Sequence, residues 1–161
     1  MTRSTSLSNR AGRFGLALVL SAVCASAAWA NKPLATGVDA TFAPHAMPKL
    51  GGGIDGFNVE LGQALAKQLG TTITIDGTEF SALIPGLNAK KYDFVLAPTT
   101  VTEARAKALL FSEGYLNTDF AFVQDKKTPD MKSLDDLKGK TISVNKGSAY
   151  ETWARDNAEK Y

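Results

Sequence analysis

Thiols and imidazoles are nearly missing from this sequence: 161 residues contain one cysteine, Cys24, and one histidine, His45. A structural zinc site takes about four such ligands, so this set excludes one. A single thiol also leaves no partner for a disulfide within the chain. Long apolar runs are scarce as well. The longest, Phe14 to Val23, is ten residues, well short of the roughly 20 that span a bilayer. Charge of one sign is not in large excess, the formal balance being +2. That argues against nucleic acid and against an anionic membrane surface as partners, since both select a basic face.

What is present begins with a processing signal. Arg3, Arg10 and Arg13 come without one acidic residue, the apolar run follows, and Ala28-Trp29-Ala30 forms a small-x-small cleavage site. Residues 1–30 are therefore read as a signal peptide, and the expected compartment is the periplasm. A lipoprotein reading through Cys24, after Leu20-Ser21-Ala22-Val23, ranks lower because Val23 is bulky for such a site. Cleavage after Ala30 leaves 131 residues with 15 basic and 16 acidic side chains. It also removes the cysteine.

Periodicity then gives alternating elements. Leu34 to Asp39 reads as a strand interrupted by Gly37, and 44–56 as a loop with two prolines and four glycines. Within that loop Gly51, Gly53 and Gly56 match GxGxxG, but no strand leads straight into them, so a flexible turn is preferred to a nucleotide site. Phe57, Leu61, Ala64, Leu65 and Leu69 recur at helical spacing, closed by Gly70. Thr71 to Ile75 alternates as a second strand, with a turn from Asp76 to Glu79. A helix over 82–89 is expected, capped by Ser81 and with Pro85 near its start. Tyr92 to Ala97 suits a strand covered on both faces. Strand, helix, strand, helix, strand, helix predicts an α/β fold, a parallel sheet with helices on both faces. In such sheets ligands sit beyond the carboxyl ends of the strands, where strand order reverses. Further on, strands are expected at 119–124 and 140–144, a short capped helix at 133–137, a turn Asn145-Lys146-Gly147-Ser148 and a helix over 150–161.

The most suggestive stretch is Ala97-Pro98-Thr99-Thr100-Val101-Thr102-Glu103-Ala104-Arg105. Thr102 stands where an N-cap would, before a helix expected over 103–110. Arg105 then falls in the first turn, against the positive end of the helix dipole. A carboxylate could reconcile the two by taking amides of the turn, hydroxyls of Thr100 or Thr102, and both prongs of the guanidinium. The nine residues alone equally admit an arginine turned to solvent or paired with Glu103.

Taken together, several segments resemble the extracellular solute-binding proteins of polar amino-acid ABC importers. They are Val38 to Pro44, Gly56 to Leu61, Phe80 to Leu87, Tyr92-Asp93, Thr100 to Thr102 with Arg105-Ala106-Lys107 and Phe111-Ser112, and Leu134 to Gly147. The resemblance implies a periplasmic-binding-protein-like fold of two lobes closing over one amino acid, with no cofactor and no metal. It implies that Arg105 pairs with the ligand carboxylate, helped by Thr100, and that the Pro98 carbonyl takes part in holding the ammonium. Phe42 and Phe80 would sandwich the ligand, with Asp39 beside its side chain. Asn145 and Ser148, in the donor-rich turn, complete the candidate set. The expected partners are a small-molecule amino acid and an ABC membrane permease, the protein being a monomer. Pro98 stands where the family usually has glycine, Ala104 for a usual glutamate and Leu110 for a usual aspartate.

On this likeness, 31–117 is lobe 1, 118–124 a hinge crossing and 125–161 an incomplete lobe 2. Two lobes of about 100 residues each need about 200, so the expectation is a fragment of a longer reading frame with weakened, millimolar binding. The alternative function is an exported enzyme on the same fold, such as a cyclohexadienyl or arogenate dehydratase-like lyase, with Asp39 or Glu79 as acid or base. Ser81, Ser112 and Ser148 read as caps rather than nucleophiles, and His45 as a solvated loop residue.

Overall fold

The computed structural model describes residues 32–161; the expected signal peptide, with Cys24, lies outside them. The centre of the fold is β1, Leu34–Asp39, whose residues 36 to 39 are all buried. Burial on both faces requires that its polar side chains find partners, and the Thr36 hydroxyl donates to the Phe94 carbonyl at 2.8 Å. β4, Ile73–Thr78, lies parallel on one side of β1 and β5, Phe94–Val95, parallel on the other. The order β4-β1-β5 means that the first crossover carries the chain from β1 to one side and the second carries it from β4 back past β1 to the other. The crevice where they part opens beyond the carboxyl ends of β1 and β5.

Helices cover both faces of this sheet, as expected. α1, Phe57–Gln68, packs on β1 and β4; Val59 joins Val38, Ala46 and Leu96 in one core layer. α2, Phe80–Asn88, packs on β1 and β5, and its Phe80 and Leu83 form the second layer with Tyr92 and Ala97. Gly37 does not merely interrupt β1. A Cβ there would lie 2.7 Å from Leu83 and 2.8 Å from the Tyr92 ring, so the bare backbone is what admits the second layer.

The loop 44–56 holds a small antiparallel hairpin, β2 (Met47–Pro48) with β3 (Ile54–Asp55), turned by Gly51, Gly52 and Gly53 at positive φ. Its glycines are turn residues. The first amides of α1, from Phe57 and Asn58, donate to the carbonyls of Pro44 and His45 at 3.1 and 2.9 Å. Those amides are thereby unavailable to a phosphate. His45 is correspondingly no solvated loop residue: it is half-buried, with Nδ1 3.1 Å from the Asn58 side-chain oxygen.

Several boundaries differ from expectation. The second strand runs through Thr78, because pairing with β1 continues to Asp39↔Thr78. α2 starts at Phe80 with Glu79 as its cap residue, so Ser81 lies inside the helix and Pro85 falls in its second turn. Only Phe94–Val95 of the expected 92–97 strand pairs. The helix after Thr102 is a single turn, α3, Glu103–Ala106. The expected strands at 119–124 and 140–144 form no ladder; their residues are exposed and lack a hydrogen-bonded neighbour strand among the described residues. A strand draws its stability from cross-strand pairs, which these segments do not have. A 3-10 turn, Leu134–Leu137, carries the expected cap, the Asp136 carboxylate accepting from the Ser133 amide at 3.1 Å. The last helix, α4, is Ala149–Asp156, shorter than the 150–161 expected. No helix among the described residues is long and apolar enough to cross a membrane.

Candidate functional site

Asp39 ends β1 at the crevice and is 1% exposed. One carboxylate oxygen accepts from the Thr41 amide at 3.0 Å and the Thr41 hydroxyl at 2.7 Å, an Asx turn that holds the side chain. The other accepts from the Asn145 side-chain amide at 2.7 Å. All three donors are neutral.

Arg105 reaches the same crevice from α3. Thr102 caps that turn, its hydroxyl accepting from the Arg105 amide at 3.3 Å. The guanidinium turns neither to solvent nor to Glu103, which holds Lys107 at 2.7 Å. It lies 5.5 Å from the Phe80 ring centre and donates to two carbonyls, Thr100 and Gly147, each at 2.9 Å. Burial pushes its pKa down from the ordinary arginine value, yet a guanidinium keeps its charge in proteins. One helical turn carries little macrodipole. Carbonyl oxygens, rather than a helix end awaiting an anion, are what Arg105 meets.

The turn at 145–148 supplies the opposite wall. Gly147 has φ 76, and a Cβ on it would stand 3.3 Å from the Ser81 Cα, so the turn rests directly on α2. Its amide donates to Glu151 at 2.6 Å. Ser148, 7% exposed, caps α4 by accepting from the Glu151 amide at 3.1 Å; of the three serines expected as caps it is the one that caps a helix. Ser112 instead donates to the Glu113 carbonyl.

The structure thus brings Asp39, Phe80, Thr100, Arg105, Asn145 and Ser148 to one crevice. Pro98 is half-buried in the turn below it. Phe42 is more exposed, and its ring packs on His45, with centroids 4.9 Å apart. Thr41 and Gly147 were absent from the expected set. A threonine two residues after an aspartate was a legible sign for the first; nothing in the local sequence marks the Gly147 carbonyl as a partner of an arginine 42 residues away.

Electrostatically the site holds two opposite charges, neither of which forms an ion pair among the described residues. Capacity for a ligand remains on both. A guanidinium has five donors and a carboxylate about four acceptor positions, of which two and three are used. A ligand that carries a carboxylate at one end and a cationic side chain at the other fits such a pair. Among the described residues no group of three or more His, Cys, Asp or Glu side chains could hold a metal ion. A cavity of about 1160 Å³ opens elsewhere, between segments 119–124 and 140–145 and α4, floored by Phe120, Phe122, Ile142 and Trp153. It is the space left between two extended segments without a shared ladder, and Arg105 is not in it.

The sequence pattern of the bacterial extracellular solute-binding proteins, family 3, matches residues 34–158. The chain belongs to this family. As a family 3 member it is 32% identical over 143 residues to the lysine/arginine/ornithine-binding periplasmic protein of Escherichia coli (strain K12), covering 88% of this chain and 55% of that protein. It is 38% identical over 131 residues to the arginine-binding extracellular protein ArtP of Bacillus subtilis (strain 168), covering 81% and 51%. Among solved structures, an ancestral arginine-binding protein bound to arginine superposes with a TM-score of 0.74 at 37% identity, covering 80% of this chain and 57% of that one. All three are named as binding proteins and none as an enzyme. This family 3 chain spans about half the length of the curated relatives it matches.

Proposed function

We propose that the chain takes part in binding an amino acid in the periplasm for delivery to an ABC importer permease, acting as a monomer without a cofactor. The carrying observation is the juxtaposition of Arg105 and Asp39, one charge of each sign at a single strand-end crevice, each lacking an ionic partner among the described residues. The α-carboxylate goes to Arg105, where a planar guanidinium offers a two-pronged bond, with Thr100 beside it. The Pro98 carbonyl faces the ammonium, Phe80 and Phe42 flank the ligand, and Ser148 borders it. Asp39 takes the side chain, which selects a polar and preferably cationic one. The relatives that bind arginine, lysine or ornithine support that preference.

A thermal-shift screen of the twenty amino acids on the full chain tests this, because a ligand that binds only the folded state raises its melting temperature. Arginine and lysine are expected to give the largest shifts, and Arg105→Ala to remove them. Equal shifts in Arg105→Ala would place the carboxylate elsewhere.

A further inference from the structure

The two charged groups at the crevice are already engaged by a single turn. The Gly147 carbonyl accepts from Arg105 and the Asn145 amide donates to Asp39, at 2.9 and 2.7 Å. An acceptor at the arginine and a donor at the aspartate are what an amino acid with a cationic side chain would offer to the same groups. The turn itself is stiffly built. Gly147 bonds Glu151 through its amide, Ser148 caps α4, and Gly147 rests on Ser81.

We infer that the turn 145–148 is an internal mimic of the ligand: through Asn145 and Gly147 it occupies the aspartate and the arginine, holds the crevice shut when empty, and must yield both contacts to a basic amino acid. This rests on the binding function proposed above. Asn145 is then a specificity-determining residue that acts through Asp39. A ligand whose side chain does not reach Asp39 leaves the Asn145 contact in place, whereas arginine or lysine competes with it. Removing the competitor favours basic ligands selectively. A hydrogen bond to a charged group is worth about tenfold to a hundredfold in an equilibrium constant, and the lower end sets the smallest effect expected.

Two measurements on the full chain decide it. The first needs no ligand: hydrogen exchange of the backbone amides over 145–149, compared between the native chain and Asn145→Ala. Exchange about tenfold faster in the variant is expected, and equal exchange overturns the mimic whether or not any amino acid binds. The second is calorimetric titration of both proteins with arginine and with alanine. The ratio of the alanine to the arginine dissociation constant should rise about tenfold in Asn145→Ala; an unchanged or lowered ratio overturns the proposal. Asn145→Ser, which keeps a shorter donor, should fall between the two. Absence of heat with every amino acid would remove the binding function, while the exchange measurement still decides whether the turn is latched.

Discussion

Replacing Asp39 by asparagine separates two magnitudes that the geometry keeps distinct. The substitution preserves shape and one oxygen, the one that accepts from the Thr41 amide and hydroxyl at 3.0 and 2.7 Å in the native protein. The other oxygen becomes an NH2 group facing the Asn145 NH2 at 2.7 Å, a donor against a donor. Asn145 can turn its amide over and present its oxygen, restoring a neutral bond in place of a charge-assisted one. The net loss in the empty protein is then about 1 kcal/mol. That corresponds to about 2–8 °C in melting temperature for domains of roughly this size. For a basic ligand the same change removes the carboxylate that faces its cation. Truncating one partner of a buried charge pair costs about 2–5 kcal/mol, or about thirty- to several-thousand-fold in affinity. Calorimetry with arginine and alanine, beside a thermal melt of the empty protein, reads all three quantities. A large arginine-specific loss with a small stability loss is expected. If arginine and alanine weaken equally, Asp39 supports the fold of the crevice and does not read the side chain.

Two further outcomes concern the framework. Gly37→Ala forces a methyl to within 2.7–2.8 Å of Leu83 and Tyr92; overpacking of this kind costs about 1–3 kcal/mol. A melting temperature that does not fall would show that the second core layer yields freely. Acid should destabilise the protein through four carboxylates held below their ordinary values, 3.8 for aspartate and 4.5 for glutamate. Asp76 is lowered by the hydrogen bonds of Lys91 and Tyr92, Asp93 by the Ala35 amide and Lys32, Asp136 by the amides of Lys132 and Ser133, and Glu151 by the Gly147 amide and Arg155. A depressed folded value gives stability that is complete above the unfolded value and lost as pH falls through the folded one. Urea midpoints should be level from about pH 7 to 5 and drop below about pH 4; a drop complete by about pH 5 would show that these four carboxylates do not govern the loss.

Much of residues 34–100 could be read from pattern alone, because there local preference and tertiary environment agree. The helical spacing of Phe57 to Leu69 becomes α1, and the apolar strand before Asp39 becomes the sheet centre. The errors fall where a distant contact outweighed a local one. Thr71 to Ile75 alternates convincingly, but pairing with β1 carries the strand on through a glycine to Thr78. Asp119 to Gln124 and Lys140 to Val144 have the composition of strands and, among the described residues, no neighbour to pair with. The candidate site was visible as a pattern of residue types: an arginine after a threonine cap and an aspartate at a strand end are recognisable in sequence. Their satisfaction by a carbonyl and an amide from 145–147 was not, since hydrogen bonds between residues 42 and 106 positions apart leave no local trace.

The sheet and both core layers lie between Leu34 and Ala97, while the extended segment 118–133 touches the rest largely through ring contacts such as Phe120 with Tyr150 and Phe122 with Trp153. Heat absorbed on melting will therefore come chiefly from the front portion of the chain. Proteases should find the lysine pair 126–127 long before they find β1, leaving a resistant amino-terminal kernel whose lifetime is set by the sheet rather than by the segments that follow it.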